Sequence, residues 1–346
     1  MKGTVIYLDH TPDGREAAAL MVDGHLHDLV IDPPDNAPPG IGAIAWATAD
    51  RPLKGQGGLT LKLGDGVSGY LRRAKDIAPG DQFLVQVTSV TEPGKAIPVT
   101  PDLIFKSRHC IVTPRKPGIN VSRTIRDDEE RDRLLEIAHD TDTRDFGLII
   151  RSAAAGAEAD DIQNDITEQC DIAAKVLAHQ SGPPEWLLDA ETAHTLAWRD
   201  WENPDDVMQS LGCCEAEGIL DAFDTARAAQ QRLPGGAHAY IEPTRALIAI
   251  DANTGADHSV AAGLKANLAL VRDLPRLLRL KGLGGQIVLD LAPMPKRDRK
   301  PLEDAVKKAF RQAGSDVVVA GWTPLGNLEL THKRDRLPLS QSWPAT

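Results

Sequence analysis

The chain has 346 residues, a hydrophobic fraction of 42%, a charged fraction of 26% and a formal net charge of -11 at pH 7. This is the composition of a soluble globular protein, and the length exceeds the roughly 250 residues at which single cores stop growing, so several domains are expected. No run approaches the roughly 18 uninterrupted apolar residues of a membrane span, so no membrane partner is expected. The acidic total excludes a protein that coats nucleic acid by bulk positive charge, while leaving open a focused site with local carboxylates for a cation and local Arg or Lys for phosphates.

The N-terminus runs from Met1 straight into the strand-like Val5-Ile6-Tyr7, with no signal-peptide anatomy, which places the expectation in the cytoplasm. Residues 1–33 alternate apolar and polar positions and read as a short meander of strands, closed by the breaks at Pro33-Pro34 and Pro38-Pro39-Gly40. From about 41 to 105, short strand-like runs separated by glycine turns predict a small barrel, an OB-fold in outline. Its candidate base-stacking aromatics are Trp46, Tyr70 and Phe83.

A charged helix is predicted over 127–139, a strand over 146–151 and a long helix over about 158–179, followed by a broken helical stretch over 183–230. The last third has the clearest pattern: strands over 237–242, 246–251, 286–290 and 316–320, with helices over about 258–281 and 300–313. That alternation predicts α/β layering with helices covering a sheet. The glycines Gly282, Gly284 and Gly285 precede a strand instead of following one, so they terminate the helix and are no dinucleotide fingerprint. The four cysteines, Cys110, Cys170, Cys213 and Cys214, form no Cys-x-x-Cys pair and read as reduced structural thiols.

Two apolar strands run into an aspartate, Ala249-Ile250-Asp251 and Val288-Leu289-Asp290. Strand ends in α/β sheets are where ligands gather, and two carboxylates brought together there repel unless a divalent cation joins them. Aspartates at strand ends also cap turns and helices, and patterning by itself does not separate the two readings. The run Asp251 to Asp257 imitates a calcium loop but has its glycine misplaced and Ala262 at the twelfth position.

Around these aspartates the motifs accumulate. Gly235-Gly236-Ala237 through Asp251-Ala252-Asn253-Thr254-Gly255, then Asn267-Leu268, then Leu278 through Asp290, then Leu325-Gly326-Asn327 through Lys333-Arg334 resemble, in order and spacing, the signature of the ribonuclease E/G family. Upstream, Pro93-Gly94-Lys95, Gly118 through Arg123 and Gly147-Leu148-Ile149-Ile150-Arg151-Ser152 are collinear with the same family, so the resemblance spans about residues 40–337.

The resemblance implies a multidomain α/β fold: an RNase H-like scaffold interrupted by an OB-fold β-barrel, a 5′-sensor region and a DNase I-like catalytic domain. On this chain it implies a first RNase H-like part over 1–38, the OB-fold over 39–108, the sensor over 109–205, a reduced RNase H-like or linker region over 206–236 and the catalytic domain over 237–346. It implies a magnesium-dependent endoribonuclease that cleaves single-stranded RNA by activated water, leaving 5′-phosphate and 3′-hydroxyl ends. By position, Asp251 and Asp290 are the implied metal ligands, and Asn253 orients the scissile phosphate or Asp251. Arg151 and Ser152 are the implied 5′-phosphate binders, while Arg123 reads equally as an RNA contact or as an ordinary exposed arginine, and Tyr70 stands as the barrel's candidate RNA contact. The bland reading of Arg151 is an ion pair with Asp160 or Asp161.

The chain departs from the family pattern in several places, among them a short region between the sensor and the catalytic signature, which is why the RNase H-like part is expected to be reduced. Pro293 stands where a further aspartate is usual, and no cysteines follow the catalytic segment, so no zinc-linked dimer is expected. Pro293 keeps a rival in play, a non-catalytic RNA-binding protein on the same fold; a deoxyribonuclease is a third reading.

Overall fold

A computed structural model describes residues 3–53, 57–72, 76–92 and 94–343. It divides into two compact units, one made of the residues up to Asp35 together with those from Asp205 onward, the other of Asn36–Pro204. Among the described residues, no helix is long and apolar enough to cross a membrane.

The first unit begins with the antiparallel meander β1 (Thr4–His10), β2 (Glu16–Val22) and β3 (His25–Ile31). Strict alternation is lost in β1 and β2, where consecutive residues are buried, because both faces of these strands are covered.

In the second unit, β4 (Ile44–Leu53), β5 (Gly58–Lys62), β6 (Ser68–Leu71), β7 (Gln82–Val87) and β8 (Ile97–Thr100) close into a five-stranded barrel, since β4 pairs with both β5 and β7. Closure at this small diameter needs small inward side chains on the shared strand, and β4 provides Ala45, Ala47 and Ala49, packed on Leu59, Leu61, Val85, Val87 and Val99. The expected OB-like barrel is therefore present. Pro93, which opens one of the upstream motif fragments, lies outside the described residues.

A four-stranded sheet follows, built from β9 (Phe105–Lys106), β10 (Cys110–Thr113), β11 (Ile119–Val121) and β12 (Gly147–Ile150), in the order β11-β12-β10-β9. It packs against α1 (Asp128–Asp140) and α2 (Ala159–Leu177) through Val112, Leu134, Leu148, Ile150, Ile162 and Ile166. Helix α1 starts where Asp127 accepts the backbone N–H of Glu130 at 2.8 Å, an N-cap followed by an acidic first turn.

The stretch expected to be helical over 183–230 is mixed. It holds β13 (Glu185–Leu188), paired with β4, and α3 (Ala193–Asp200) in the second unit. In the first unit it holds β14 (Asp206–Gln209), α4 (Cys213–Ala216) and α5 (Leu220–Arg227). Both unexpected strands gain their hydrogen bonds from partners far away in sequence, β14 running parallel to β1, so local periodicity carried no trace of them. Phe223 and Ala226 of α5 bury against Val5, Tyr7 and Leu29 of the meander.

The remainder forms a six-stranded mixed sheet, β15 (Gln230–Arg232), β16 (His238–Pro243), β17 (Ile248–Asn253), β18 (Gly285–Asp290), β19 (Val317–Trp322) and β20 (Leu328–His332), in the order β15-β16-β17-β18-β20-β19. One face is covered by α6 (Ala262–Lys281) and α7 (Arg299–Gln312), with Ile241, Ile250, Leu270, Leu274, Ile287, Leu289, Val306 and Phe310 at the contact. Gly282 ends α6 in the left-handed region at φ 62°, and Leu283 N–H reaches back to Leu278 C=O at 2.9 Å. A short helix, α8 (Leu339–Ser342), follows the sheet.

All four cysteines are buried and free. Burial pushes the Cys110 thiol up to about 12 and that of Cys170 up to about 11, as befits structural thiols. Asp9, Cys213 and Cys214 bring three potential ligand atoms within 4.8 Å of one another. The Asp9 carboxylate is already engaged, accepting the backbone N–H groups of Gly212 at 2.7 Å, Cys214 at 2.9 Å and His10 at 2.8 Å. This cluster fastens the turn before α4 to β1.

Candidate active site

Period-two alternation sorts the six-stranded sheet into two faces. In β17, Ile248, Ile250 and Ala252 are buried under the helices, while Ala249, Asp251 and Asn253 point to the other face. In β18, Ile287 and Leu289 are buried and Gln286, Val288 and Asp290 share that second face. Strands β17 and β18 are parallel and in register, with Asp251 directly opposite Asp290. Neighbouring strands lie about 4.8 Å apart, so two like charges sit side by side where repulsion is unfavourable.

Asp290 is the last residue of its strand, as expected, but Asp251 is the fourth of six in β17, which continues to Asn253. The extension exists because β16 stays paired alongside, with Tyr240 opposite Asp251 and His238 opposite Asn253. The Asn253 side-chain amide donates to Asp251 Oδ2 at 3.0 Å, fixing that carboxylate. Both aspartates are exposed, and among the described residues neither has a Lys or Arg ion-pair partner. Two unneutralised carboxylates, one held by an amide, form an all-oxygen donor set of the kind a hard divalent cation takes while keeping several waters. The residues present therefore fit magnesium.

A concavity of ≈ 290 Å³ surrounds the pair, lined also by Glu242, Leu247, Val288 and Asn327. Glu242 and Glu329 lie on the same face one pleat away, level with Ala249 and Val288. These carboxylates were missed in the sequence, although alternation within Ile241-Glu242 and Leu328-Glu329-Leu330 carried the signal; only the register shows that they flank the aspartates. Tyr240 is 37% exposed beside Asp251, edge-on to the His238 ring at 5.7 Å between centroids.

The segment after Asp290 is clamped to α6. Asn267, 0% exposed, donates to Ala292 C=O at 2.8 Å and accepts Ala292 N–H at 3.0 Å. Gly263 lies one turn earlier, where an added Cβ would meet the Pro293 carbonyl oxygen at 1.9 Å. Pro293 thus presents its backbone to the helix, and the further carboxylates on this face come from β16 and β20. Asn267→Ala leaves a buried amide pair unsatisfied and is expected to cost about 1–3 kcal/mol, read from the urea midpoint. Gly263→Ala is expected to cost a comparable ~1–3 kcal/mol through overpacking, against the usual helical gain of alanine over glycine.

The other candidate residues lie in the Asn36–Pro204 unit. Trp46 is 7% exposed and packs edge-on to His179, so it serves the core and offers no stacking face. Tyr70 is half-buried on the outer side of the barrel, alternating with buried Gly69 and Leu71, and Phe83 is half-buried against the barrel core. Arg123 is exposed after β11.

Arg151 directly follows β12 and does not pair with Asp160 or Asp161. Its Nη1 donates to the carbonyls of Ser107, Arg108 and Arg199, and its Nη2 donates to Asp200 Oδ1 at 2.9 Å. Ser152 Oγ donates to Glu202 Oε1 at 2.6 Å. Burial works against a charged Asp200, but Arg199 and Lys106 outweigh it and hold the carboxyl below the usual carboxylate range.

Comparison with known proteins agrees with the motif order. The model of the ribonuclease E/G family matches residues 105–209 and 207–335. The chain is 25% identical over 303 residues to ribonuclease G of Salmonella typhimurium (strain SL1344), covering 75% of this chain and 61% of that protein. It is 26% identical over 300 residues to ribonuclease E of Nostoc sp. (strain PCC 7120), covering 75% of this chain and 44% of that protein. Ribonuclease G of Haemophilus influenzae is 26% identical over 298 residues, at 75% and 61% coverage. The chain spans about three-fifths or less of the length of these relatives. With the family model covering well over half of its residues, the chain belongs to the ribonuclease E/G family.

Proposed function

We propose that the chain is an endoribonuclease that hydrolyses single-stranded RNA with magnesium bound between Asp251 and Asp290. The observation that carries this reading is the in-register pair of exposed aspartates on the uncovered face of the sheet, unneutralised by any neighbouring cation among the described residues. When bound, magnesium supplies an activated water and offsets charge on a phosphoryl oxygen. Asp251 and Asp290 hold the cation, and Asn253 orients Asp251 through its amide. Hydrolysis in this arrangement leaves a 5′-phosphate on one fragment and a 3′-hydroxyl on the other.

Tyr240 offers an aromatic face one strand from Asp251, suited to a base next to the scissile bond. Tyr70 on the barrel and Arg123 after β11 are proposed as RNA contacts, Arg123 to phosphate. In domain terms, the six-stranded sheet with α6 and α7 is assigned to the DNase I-like part. The β1–β3 meander with β14 and α5 is assigned to a reduced RNase H-like scaffold. The proposed role is RNA processing or decay in the cytoplasm.

The test is incubation of the purified chain with matched end-labelled RNA and DNA oligomers, in magnesium and in excess chelator. Cleavage of RNA in magnesium only, with 5′-phosphate and 3′-hydroxyl ends, is expected. RNA that is bound but stays intact in magnesium would favour the non-catalytic reading instead, and cleavage of DNA at a similar rate would favour a deoxyribonuclease.

A further inference from the structure

The concavity beside the aspartate pair extends over a part of the sheet that holding a cation does not need. Its floor there is apolar: Ala249 and Val288 are register partners on β17 and β18, and Leu247 contributes a third apolar side chain. Its rim is polar, with Glu242 of β16 opposite Ala249 and Asn327 at the turn into β20. Asp251 and Asp290 follow Ala249 and Val288 on the same face, one pleat and so about 7 Å along the strands.

Both rim side chains are unengaged. Glu242 is exposed, and among the described residues its carboxylate has no ion pair or hydrogen bond. The Asn327 backbone is fastened within the β19–β20 turn, its N–H donating to Thr323 Oγ1 at 3.1 Å and its C=O accepting Thr323 N–H at 2.8 Å. Its half-buried side-chain amide has no hydrogen-bond partner among the described residues. One rim group therefore only accepts, and the other both donates and accepts.

An apolar floor with a few polar groups at its edge suits a planar organic ligand, and ≈ 290 Å³ is close to the roughly 300 Å³ at which small-molecule sites begin. We infer that this concavity seats the base of a nucleotide adjoining the scissile phosphate, where Glu242 and Asn327 select an amino-bearing base over uracil. The inference rests on Asp251 and Asp290 marking the cleavage site.

The selection follows from the edges of the bases. Cytosine, adenine and guanine each carry an amine beside an acceptor, so Glu242 takes the amine and the Asn327 amide donates to the acceptor. Uracil has no amine, and its one ring N–H lies between two carbonyl oxygens that the carboxylate repels. Ala249 and Val288 would meet the face of the base, which favours all four alike and leaves the choice to the rim.

The test is cleavage of an RNA with a randomised central segment in magnesium, to low conversion, followed by sequencing of the new ends. Uracil is expected to be depleted at least about fivefold at one of the two positions flanking the cut, relative to the uncut pool. In Glu242→Ala/Asn327→Ala the depletion is expected to relax to within about twofold. Glu242→Ala, on an exposed side chain, relaxes it in part should the double variant fail to fold. Uracil found at its input frequency on both sides of the wild-type cut, or depletion unchanged in a folded variant, overturns the inference. If magnesium supports no cleavage, the endoribonuclease reading fails by itself, and the seat is judged by binding of six-nucleotide oligo(C) and oligo(U). Tighter binding of oligo(C) by at least about fivefold, lost in the variant, then supports the seat, and equal binding by the wild-type chain overturns it.

Discussion

Asp251→Asn and Asp290→Asn are each expected to lower magnesium-dependent RNA cleavage by roughly 10³-fold, since several kcal/mol of charge stabilisation and water activation depend on the cation they hold. The substitutions are isosteric, and both side chains are exposed on a sheet face without a covering helix, so the fold has little reason to respond. If anything it should become more stable, because the in-register repulsion between the two carboxylates disappears; a gain of a few tenths to about 1 kcal/mol is in the range of cross-strand charge pairs. Single-turnover rates in magnesium, combined with urea midpoints, therefore give a signature of lower activity with unchanged or higher stability. A purely structural role, such as capping a turn, predicts lower stability. If both variants cut within about threefold of wild type, the assignment of the metal site fails.

Asp28→Ala is expected to be the most destabilising single change away from that site, at about 3–5 kcal/mol. Asp28 lies in β3 and is 5% exposed. Arg336 reaches it with both terminal nitrogens, Nη2 donating to Oδ2 at 3.1 Å, and Arg279 Nε lies 3.4 Å from Oδ1. The same arginines also donate to the carbonyls of Leu29 and His27, so they join β3 to α6 and to the segment after β20. Burial raises the Asp28 carboxyl, but the two guanidiniums outweigh it and the net direction is downward. A carboxyl lowered in the folded state stabilises fully above its unfolded value of about 3.9, and that stabilisation is lost as pH falls below it. The difference in urea midpoint between wild type and Asp28→Ala should therefore shrink in acid. The exposed pair Lys116–Asp102, with side chains 69% and 58% exposed, provides the control, for which Asp102→Ala should change stability by less than about 1 kcal/mol. A loss below about 1 kcal/mol for Asp28→Ala would contradict the account given of this cluster.

The sequence by itself determined the features that depend on neighbours a few residues away. Alternation and apolar runs marked β1–β3, the barrel strands β4–β7, and β16, β17 and β18. Helix periodicity marked α1, α2, α6 and α7 to within a few residues, and Gly282 marked where α6 stops. The motif order was sufficient for the family, and it singled out Asp251 and Asp290 before their geometry was known.

What only the tertiary structure decided is everything that depends on pairing between distant segments. Strand β14 takes its hydrogen bonds from β1, and β13 takes its own from β4, so neither had a local signal. The register of β17 on β18 puts Asp251 opposite Asp290 across an intervening helix, and the register of β16 and β20 brings Glu242 and Glu329 to the same face. Arg151 finds its carboxylate 49 residues onward, at Asp200 and not at its near neighbours Asp160 and Asp161. Local propensity is a short-range energy and can be read along the chain. Which strand edge or carboxylate a polar group finally meets is set by the global burial that leaves no other partner within reach.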